Sequence, residues 1–136
     1  MVSHLPFKWS VRIYFEDTDS GGVVYHSNYL KFMERARTEW LRSLHLNQAD
    51  LKKKDKIMFV VANVNIDYKK AARFNDELDI ETSIDKIGAS RVDLTQNIMK
   101  NSELYTSAKV SIACIHSETF KPQRIPKLIK QQMEIL

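Results

Sequence analysis

The chain has 136 residues, 43% hydrophobic and 28% charged, and a formal net charge of +4. That length suits one domain, residues 1–136, that buries a core without disulfides or a structural metal, and the composition excludes a disordered chain. The charge favours anionic partners in general, and it is read here as an aid to solubility, not as a nucleic-acid footprint.

Met1 to Phe7 lack the basic start and long apolar stretch of a signal peptide, and no run reaches the roughly 18 apolar residues of a membrane span. A soluble, cytoplasmic protein is expected, with peripheral membrane contact left open. Trp9 to Phe15 alternates Trp9, Val11, Ile13 and Phe15 as apolar positions, which predicts a strand. Glu16-Asp17-Thr18-Asp19-Ser20-Gly21-Gly22 is polar and glycine-bearing, hence a loop. A helix is expected from Ser27 or Asn28, either of which can cap it. Its apolar stripe comprises Tyr29, Leu30, Phe32, Met33, Ala36, Trp40, Leu41 and Leu44, spaced by threes and fours like a core-facing face.

Asn47 can cap a short helix from Gln48 to Lys54, and Lys52-Lys53-Lys54-Asp55-Lys56 reads as a solvated turn. Four strand-like segments follow: Ile57 to Tyr68, Leu78 to Ile84, Arg91 to Met99 and Leu104 to Ile115. Their alternation suits strands with one buried face, and the short links Lys86 to Ser90 and Lys100 to Glu103 suit antiparallel hairpins. Cys114, the only cysteine, lies in the apolar run Val110 to Ile115 and reads as a buried small hydrophobe rather than a nucleophile. Pro126 is a favoured first residue for a last helix. The order strand, long helix, four antiparallel strands predicts an α+β fold in which helix and sheet bury each other's apolar faces.

The densest polar segment is Glu16 to Asp19, set between a strand end and a helix start. A helix start offers unpaired N–H groups and the positive end of a dipole, and glycine permits close backbone approach. A carboxylate beside such groups can attack, or activate water, while an N–H stabilises the oxyanion. By spacing alone, an acidic turn that binds nothing competes closely with this. The Asp17-Thr18-Asp19 fragment lacks the remaining ligands of an EF-hand loop. Serine-hydrolase, P-loop, zinc-protease and Cys-x-x-Cys motifs are missing, and His4, His26, His45 and His116 are too scattered for a zinc site. Three glycines leave no dinucleotide fingerprint. No cofactor or metal is expected.

The stretch from Arg12 to Tyr29, with Glu16-Asp17-Thr18-Asp19-Ser20-Gly21-Gly22 at its centre, closely resembles the signature of the 4-hydroxybenzoyl-CoA thioesterase family. It looks most like the YbgC branch, the acyl-CoA thioesterases associated with the Tol-Pal system. Glu34-Arg35-Ala36-Arg37-Thr38-Glu39 matches that branch too, with weaker likeness at Phe59 to Val61, Ala71 to Arg73 and Lys121-Pro122. The resemblance implies a hot-dog fold, a long central helix wrapped by a five-stranded antiparallel sheet. It implies homodimers that assemble to homotetramers, with active sites at the dimer interface.

Carried over by that resemblance, Asp19 is the catalytic carboxylate, as nucleophile or general base, and the backbone N–H of His26 is the oxyanion donor. Asp17 ties down the loop, and Tyr14, Tyr25 and Asn28 are candidate pocket residues. Here the chain departs from the family: the basic cluster that holds CoA phosphates after the third strand reads Gly88-Ala89-Ser90, leaving Lys86, Arg91 and Arg73 as candidate replacements. The implied activity is hydrolysis of acyl-CoA to acid and CoA, with acyl carrier protein as an alternative donor. The rival from another class is a non-catalytic module that binds acyl-CoA or acyl carrier protein. A hot-dog dehydratase fits less well, since that chemistry centres on histidine.

Overall fold

The structure, a computed structural model, describes residues 6–134. Strand β1 (Phe7–Arg12) leads through a 3-10 turn (Phe15–Asp17) to the long helix α1 (His26–Ser43). A short helix α2 (Gln48–Asp50) runs into a π-helical turn (Leu51–Asp55). Strands β2 (Ile57–Tyr68), β3 (Glu77–Ile87), β4 (Arg91–Lys100) and β5 (Glu103–His116) follow, and α3 (Lys127–Glu134) closes the described chain. The sheet order is β1-β3-β4-β5-β2, with antiparallel pairing throughout. This is the expected α+β arrangement of a long helix on a five-stranded antiparallel sheet. No helix among the described residues is long and apolar enough to cross a membrane.

Strand register explains which face meets α1. One row across all five strands reads Trp9, Ile80, Ile98, Thr106 and Tyr68; the next reads Phe7, Thr82, Gln96, Ala108 and Ile66. These side chains share a face because alternate residues of a strand point the same way. The opposite face is polar: Ser107 donates to Asn97 (2.7 Å), Ser111 to Asp93 (2.8 Å) and Lys109 Nζ to Thr95 (2.6 Å). Burying one face of a sheet under one stripe of a helix removes both apolar surfaces from water at once. Tyr29, Phe32, Met33, Ala36, Trp40, Leu41 and Leu44 supply that stripe, all buried.

Four polar side chains, Asn28, Thr82, Gln96 and Thr106, are buried among the described residues, and Gln96 is the best connected. Gln96 is fully buried and has three partners: its Nε2–H groups donate to Met33 C=O and Thr82 Oγ1, both at 3.0 Å, and its Oε1 accepts from Arg37 Nη1 at 2.9 Å. Buried amides are tolerated when satisfied, and this one stitches the middle of α1 to β3 and β4. Desolvation holds the Arg37 guanidinium below its ordinary pKa, with the negative charge of Glu34 acting in the opposite sense.

Three expectations need correction. The first strand was expected to run from Trp9 to Phe15, but the ladder ends at Arg12, opposite Glu77, where β3 begins. Ile13 still turns inward, fully buried, while Phe15 is 74% exposed and stacks on Phe74 with ring centroids 4.0 Å apart. The long helix was expected to start at Ser27 or Asn28 with a polar cap. It starts at His26, and the capping residue Tyr25 makes no side-chain cap. Leu30 was placed in the core stripe but is 42% exposed, because it lies on the flank of α1 and not on its centre line. By contrast, Asn47 caps the next helix as expected, accepting from Ala49 N–H (2.9 Å) and Asp50 N–H (3.2 Å). β2 to β5 fall within a few residues of their predicted bounds, and α3 begins just after Pro126.

Candidate active site

The segment between β1 and α1 is held almost entirely by its own backbone and by the β2–β3 connection. Ile13 N–H donates to Asp76 C=O (2.9 Å), and Asn75 N–H returns a bond to Ile13 C=O (3.0 Å). Asp17 Oδ2 accepts Tyr14 N–H at 2.8 Å, and Thr18 donates both its N–H and its hydroxyl to Phe15 C=O. A bridge between Thr18 and Val24 then folds the chain back on itself. At the tip, Asp19 N–H donates to Val23 C=O (2.9 Å) and Gly22 N–H to Asp19 C=O (3.0 Å), which closes a tight turn.

The two glycines serve this turn in different ways. Gly22 has φ +80°, which side-chain-bearing residues rarely adopt. A Cβ on Gly21 would lie 3.2 Å from Asp19 Oδ1, the oxygen that accepts Gly21 N–H at 2.8 Å. The turn therefore grips one carboxylate oxygen of Asp19 while the side chain stays exposed to solvent.

The start of α1 faces the same loop. Val24 N–H donates to Ala72 C=O at 2.8 Å, and Val23 bridges Arg73, fixing the approach from the β2–β3 connection. Asp17 C=O accepts twice, from Tyr25 N–H (3.0 Å) and from buried Asn28 Nδ2 (2.8 Å). The first N–H groups of a helix have no partner within it, and Tyr25 offers no side-chain acceptor. The amides of His26 and Ser27 thus open the helix at its positive end. Beside them a hollow of about 240 Å³ is lined by Val24, His26, Tyr29, Tyr68, Lys70 and Ala71. Tyr68 donates its hydroxyl to His26 C=O at 3.2 Å, and Tyr29 accepts Ala72 N–H at 3.1 Å. Desolvation raises the pKa of both phenols, so each keeps its proton. Helix-start amides beside a hollow can take a carbonyl oxygen and stabilise the negative charge developing on it, and the loop that carries Asp19 is tied to the same helix start through Asp17 C=O.

Asp17, Asp19, Tyr14, Tyr25, His26 and Asn28 are thus gathered on one loop and one helix start. Tyr14 and Tyr25 are exposed, with their rings at the surface of that loop. Lys86 and Arg91 are not gathered there. They flank the β3–β4 hairpin, whereas the Asp19 loop packs at the Glu77 end of β3. The 11-residue strand separates the two ends by roughly 35 Å. A larger hollow, of about 520 Å³, lies on the polar outer face among Asn63, Asn65, Asp85, Asp93, Lys109 and Ser111, away from the loop. No group of three or more metal-ligating side chains occurs among the described residues.

The reading of Cys114 can be checked chemically. It is fully buried on β5, and burial pushes its thiol pKa up to about 11. Since the thiolate is the reactive form, iodoacetamide at pH 8 is expected to leave the folded chain unlabelled and to label it fully in denaturant. Fast labelling of the native protein would contradict the buried placement.

Tyr68 was missed as a site residue. In sequence it closes the alternation Val64, Ile66, Tyr68 and looks like one more core position. The available signal was its polar tip at the last place before a loop, where a hydroxyl needs a partner.

Residues 13–133 match the profile of a family described as the thioesterase-like superfamily. The chain is 42% identical over 124 residues to the acyl-CoA thioesterase YbgC of Haemophilus influenzae, covering 91% of each. It is 41% identical over 124 residues to the acyl-CoA thioester hydrolase YbgC of Escherichia coli O157:H7, covering 90% of this chain and 92% of that one. Among solved structures, a probable thioesterase from Bartonella henselae superposes with a TM-score of 0.83 at 37% identity, over 88% of this chain and 98% of that one.

Proposed function

The chain belongs to the thioesterase-like superfamily, within its YbgC group, and on that premise we propose that it hydrolyses acyl-CoA thioesters to free acid and CoA. The observation that carries this is the seating of Asp19, one oxygen gripped by Gly21 N–H, on a loop tied to an α1 start that has no side-chain cap. The relatives named acyl-CoA thioesterases lend the substrate class.

In this mechanism the thioester carbonyl oxygen takes the His26 N–H. Asp19 then acts in one of two ways. As nucleophile, its oxygen bonds to the carbonyl carbon, the C–S bond breaks, CoA leaves as thiolate and takes a proton, and water cleaves the resulting anhydride. As base, it removes a proton from water, which attacks the carbonyl directly before the thiolate leaves. Either route ends in acid and CoA. Tyr14, Tyr25 and Asn28 shape the surroundings of the reacting group.

A second copy of the chain completes the site in this proposal. β2 is an edge strand of 12 residues, and on its helix-facing side Val61 and Tyr68 are 45% and 44% exposed. Long apolar edges are normally covered. Antiparallel pairing of two β2 edges turns the partner protomer end for end, so that the partner's Lys86 and Arg91 come to the end where Asp19 sits. They are then candidates for the CoA phosphates, and two such dimers give the tetramer.

Thiol release measured across short, long and aromatic acyl-CoAs tests the activity. Turnover well above the uncatalysed rate is expected for at least one class. Tight binding of acyl-CoA or acyl carrier protein with no thiol release for any substrate would overturn hydrolysis in favour of the binding module.

A further inference from the structure

We propose that Tyr68 is a positioning residue that holds the His26 peptide so that its N–H points at the reacting carbonyl; this rests on the acyl-CoA hydrolase reading above. The start of α1 poses a physical problem. The first N–H groups of a helix lack the partners four residues back that hold later turns, so the first turn frays readily, and Tyr25 makes no side-chain cap to stiffen it. An oxyanion donor must nonetheless stay aligned, because hydrogen bonds weaken steeply as the donor angle falls towards about 120°.

The structure supplies substitutes from distant parts of the chain. On one side, Asp17 C=O takes the N–H of Tyr25 and Nδ2 of Asn28. On the other, the Tyr68 hydroxyl donates to His26 C=O at 3.2 Å, and the His26 ring meets the Tyr68 ring edge-on with centroids 6.4 Å apart. His26 N–H and His26 C=O belong to two peptide planes joined at one Cα. Asn28 N–H donates to Tyr25 C=O at 2.9 Å and fixes the plane before that Cα, with Asn28 itself held through Nδ2 by Asp17 C=O, and the Tyr68 bond fixes the plane after it, which leaves the N–H little freedom to swing.

Tyr68 is itself well anchored. As the last residue of β2 it pairs with Thr106 of β5 in the sheet register, and its ring packs 5.5 Å from that of Tyr29. Tyr29 in turn accepts Ala72 N–H, which ties down the connection that follows. Register in the sheet therefore sets the height of the phenol, and the phenol sets the helix start. The raised pKa of Tyr68 keeps the hydroxyl a donor at neutral and mildly basic pH.

Tyr68→Phe keeps the ring and removes only the hydroxyl. It is expected to lower kcat about tenfold, part of the 10²–10³-fold that a whole oxyanion donor is worth, and to leave KM within about twofold. The backbone order parameter of the His26 amide is expected to fall from about 0.85 towards the flexible range below about 0.6. The parent chain provides a measurement that does not depend on the variant folding: a His26 order parameter already below about 0.6 would overturn the proposal.

Asp19→Asn is assayed alongside. If the parent releases thiol, Asp19→Asn does not, and Tyr68→Phe matches the parent in kcat and order parameter, the role of Tyr68 is refuted while the hydrolase reading stands. A Tyr68→Phe loss in which KM and melting temperature move as much as kcat means general support of the fold, and also refutes it. If the parent releases no thiol from any acyl-CoA, the hydrolase reading fails, and the role proposed for Tyr68 fails with it.

Discussion

Asp19→Asn is expected to fold like the parent and to lose acyl-CoA hydrolysis by about 10²–10⁴-fold, the range of a positioned acid or base group. Stability should hardly move. Asp19 is exposed, and its one structural duty in the loop is to accept Gly21 N–H through Oδ1, which the amide oxygen of asparagine can do equally well. Exposed substitutions that keep such a bond usually stay within about 0.5 kcal/mol. Asp19→Ala is the less clean test because it also strips Gly21 N–H of its acceptor. Asp17→Asn probes a different duty, since Asp17 Oδ2 holds Tyr14 N–H and its carbonyl holds the start of α1. Retained hydrolysis of every acyl-CoA by the Asp19→Asn variant would remove Asp19 from the mechanism. In a single turnover in heavy-oxygen water, label in the Asp19 carboxylate shows that Asp19 attacks, with water opening the anhydride at the Asp19 carbonyl carbon; base catalysis labels only the product acid.

Trp40→Ala should be the most destabilising of the single changes considered, costing about 3–5 kcal/mol. Trp40 is 1% exposed on the stripe of α1 that faces the sheet, and its removal deletes the bulkiest of the fully buried side chains. The cost combines lost transfer free energy with a cavity that close-packed neighbours fill only in part. At roughly 3 °C per kcal/mol for a chain of this size, the melting temperature should fall by about 10–15 °C. Leu128→Ala is the control. At 75% exposure on α3 it is expected to change stability by no more than about 0.5 kcal/mol. Equal losses in thermal scans of the two variants, at matched protein concentration, would contradict the core described here.

The site's two halves differ in how openly the sequence declares them. The Asp19 loop is contiguous, and its pattern of acids followed by Gly21-Gly22 reflects local needs: a carboxylate crowded by the next residues and one backbone position with positive φ. Such needs are met within a few residues and leave a mark on residue type. Tyr68 lies 42 residues from His26 in the chain, and nothing in its neighbourhood announces that its hydroxyl will meet a helix start. Gln96 is similar. It interrupts an apolar alternation, and only the positions of Arg37, Thr82 and Met33 make it a satisfied core residue.

By itself, then, the sequence determined the element order, the paired faces of the four later strands, the stripe on α1 and the family signature around Asp19, because periods of two and 3.6 residues and turn chemistry are local physical properties. The tertiary structure alone decided the rest. β1 stops at Arg12 because β3 begins at Glu77. α1 starts at His26 because Asp17 C=O, and not a capping side chain, receives its approach. Leu30 emerges at the surface because its flank meets no described element closely enough to bury it. Lys86 and Arg91 lie a strand's length from Asp19 in one protomer because a hairpin and the strand start it leads from are at opposite ends of a sheet. Each of these depends on which residues, distant in sequence, come to stand opposite one another, and a linear pattern carries no record of that.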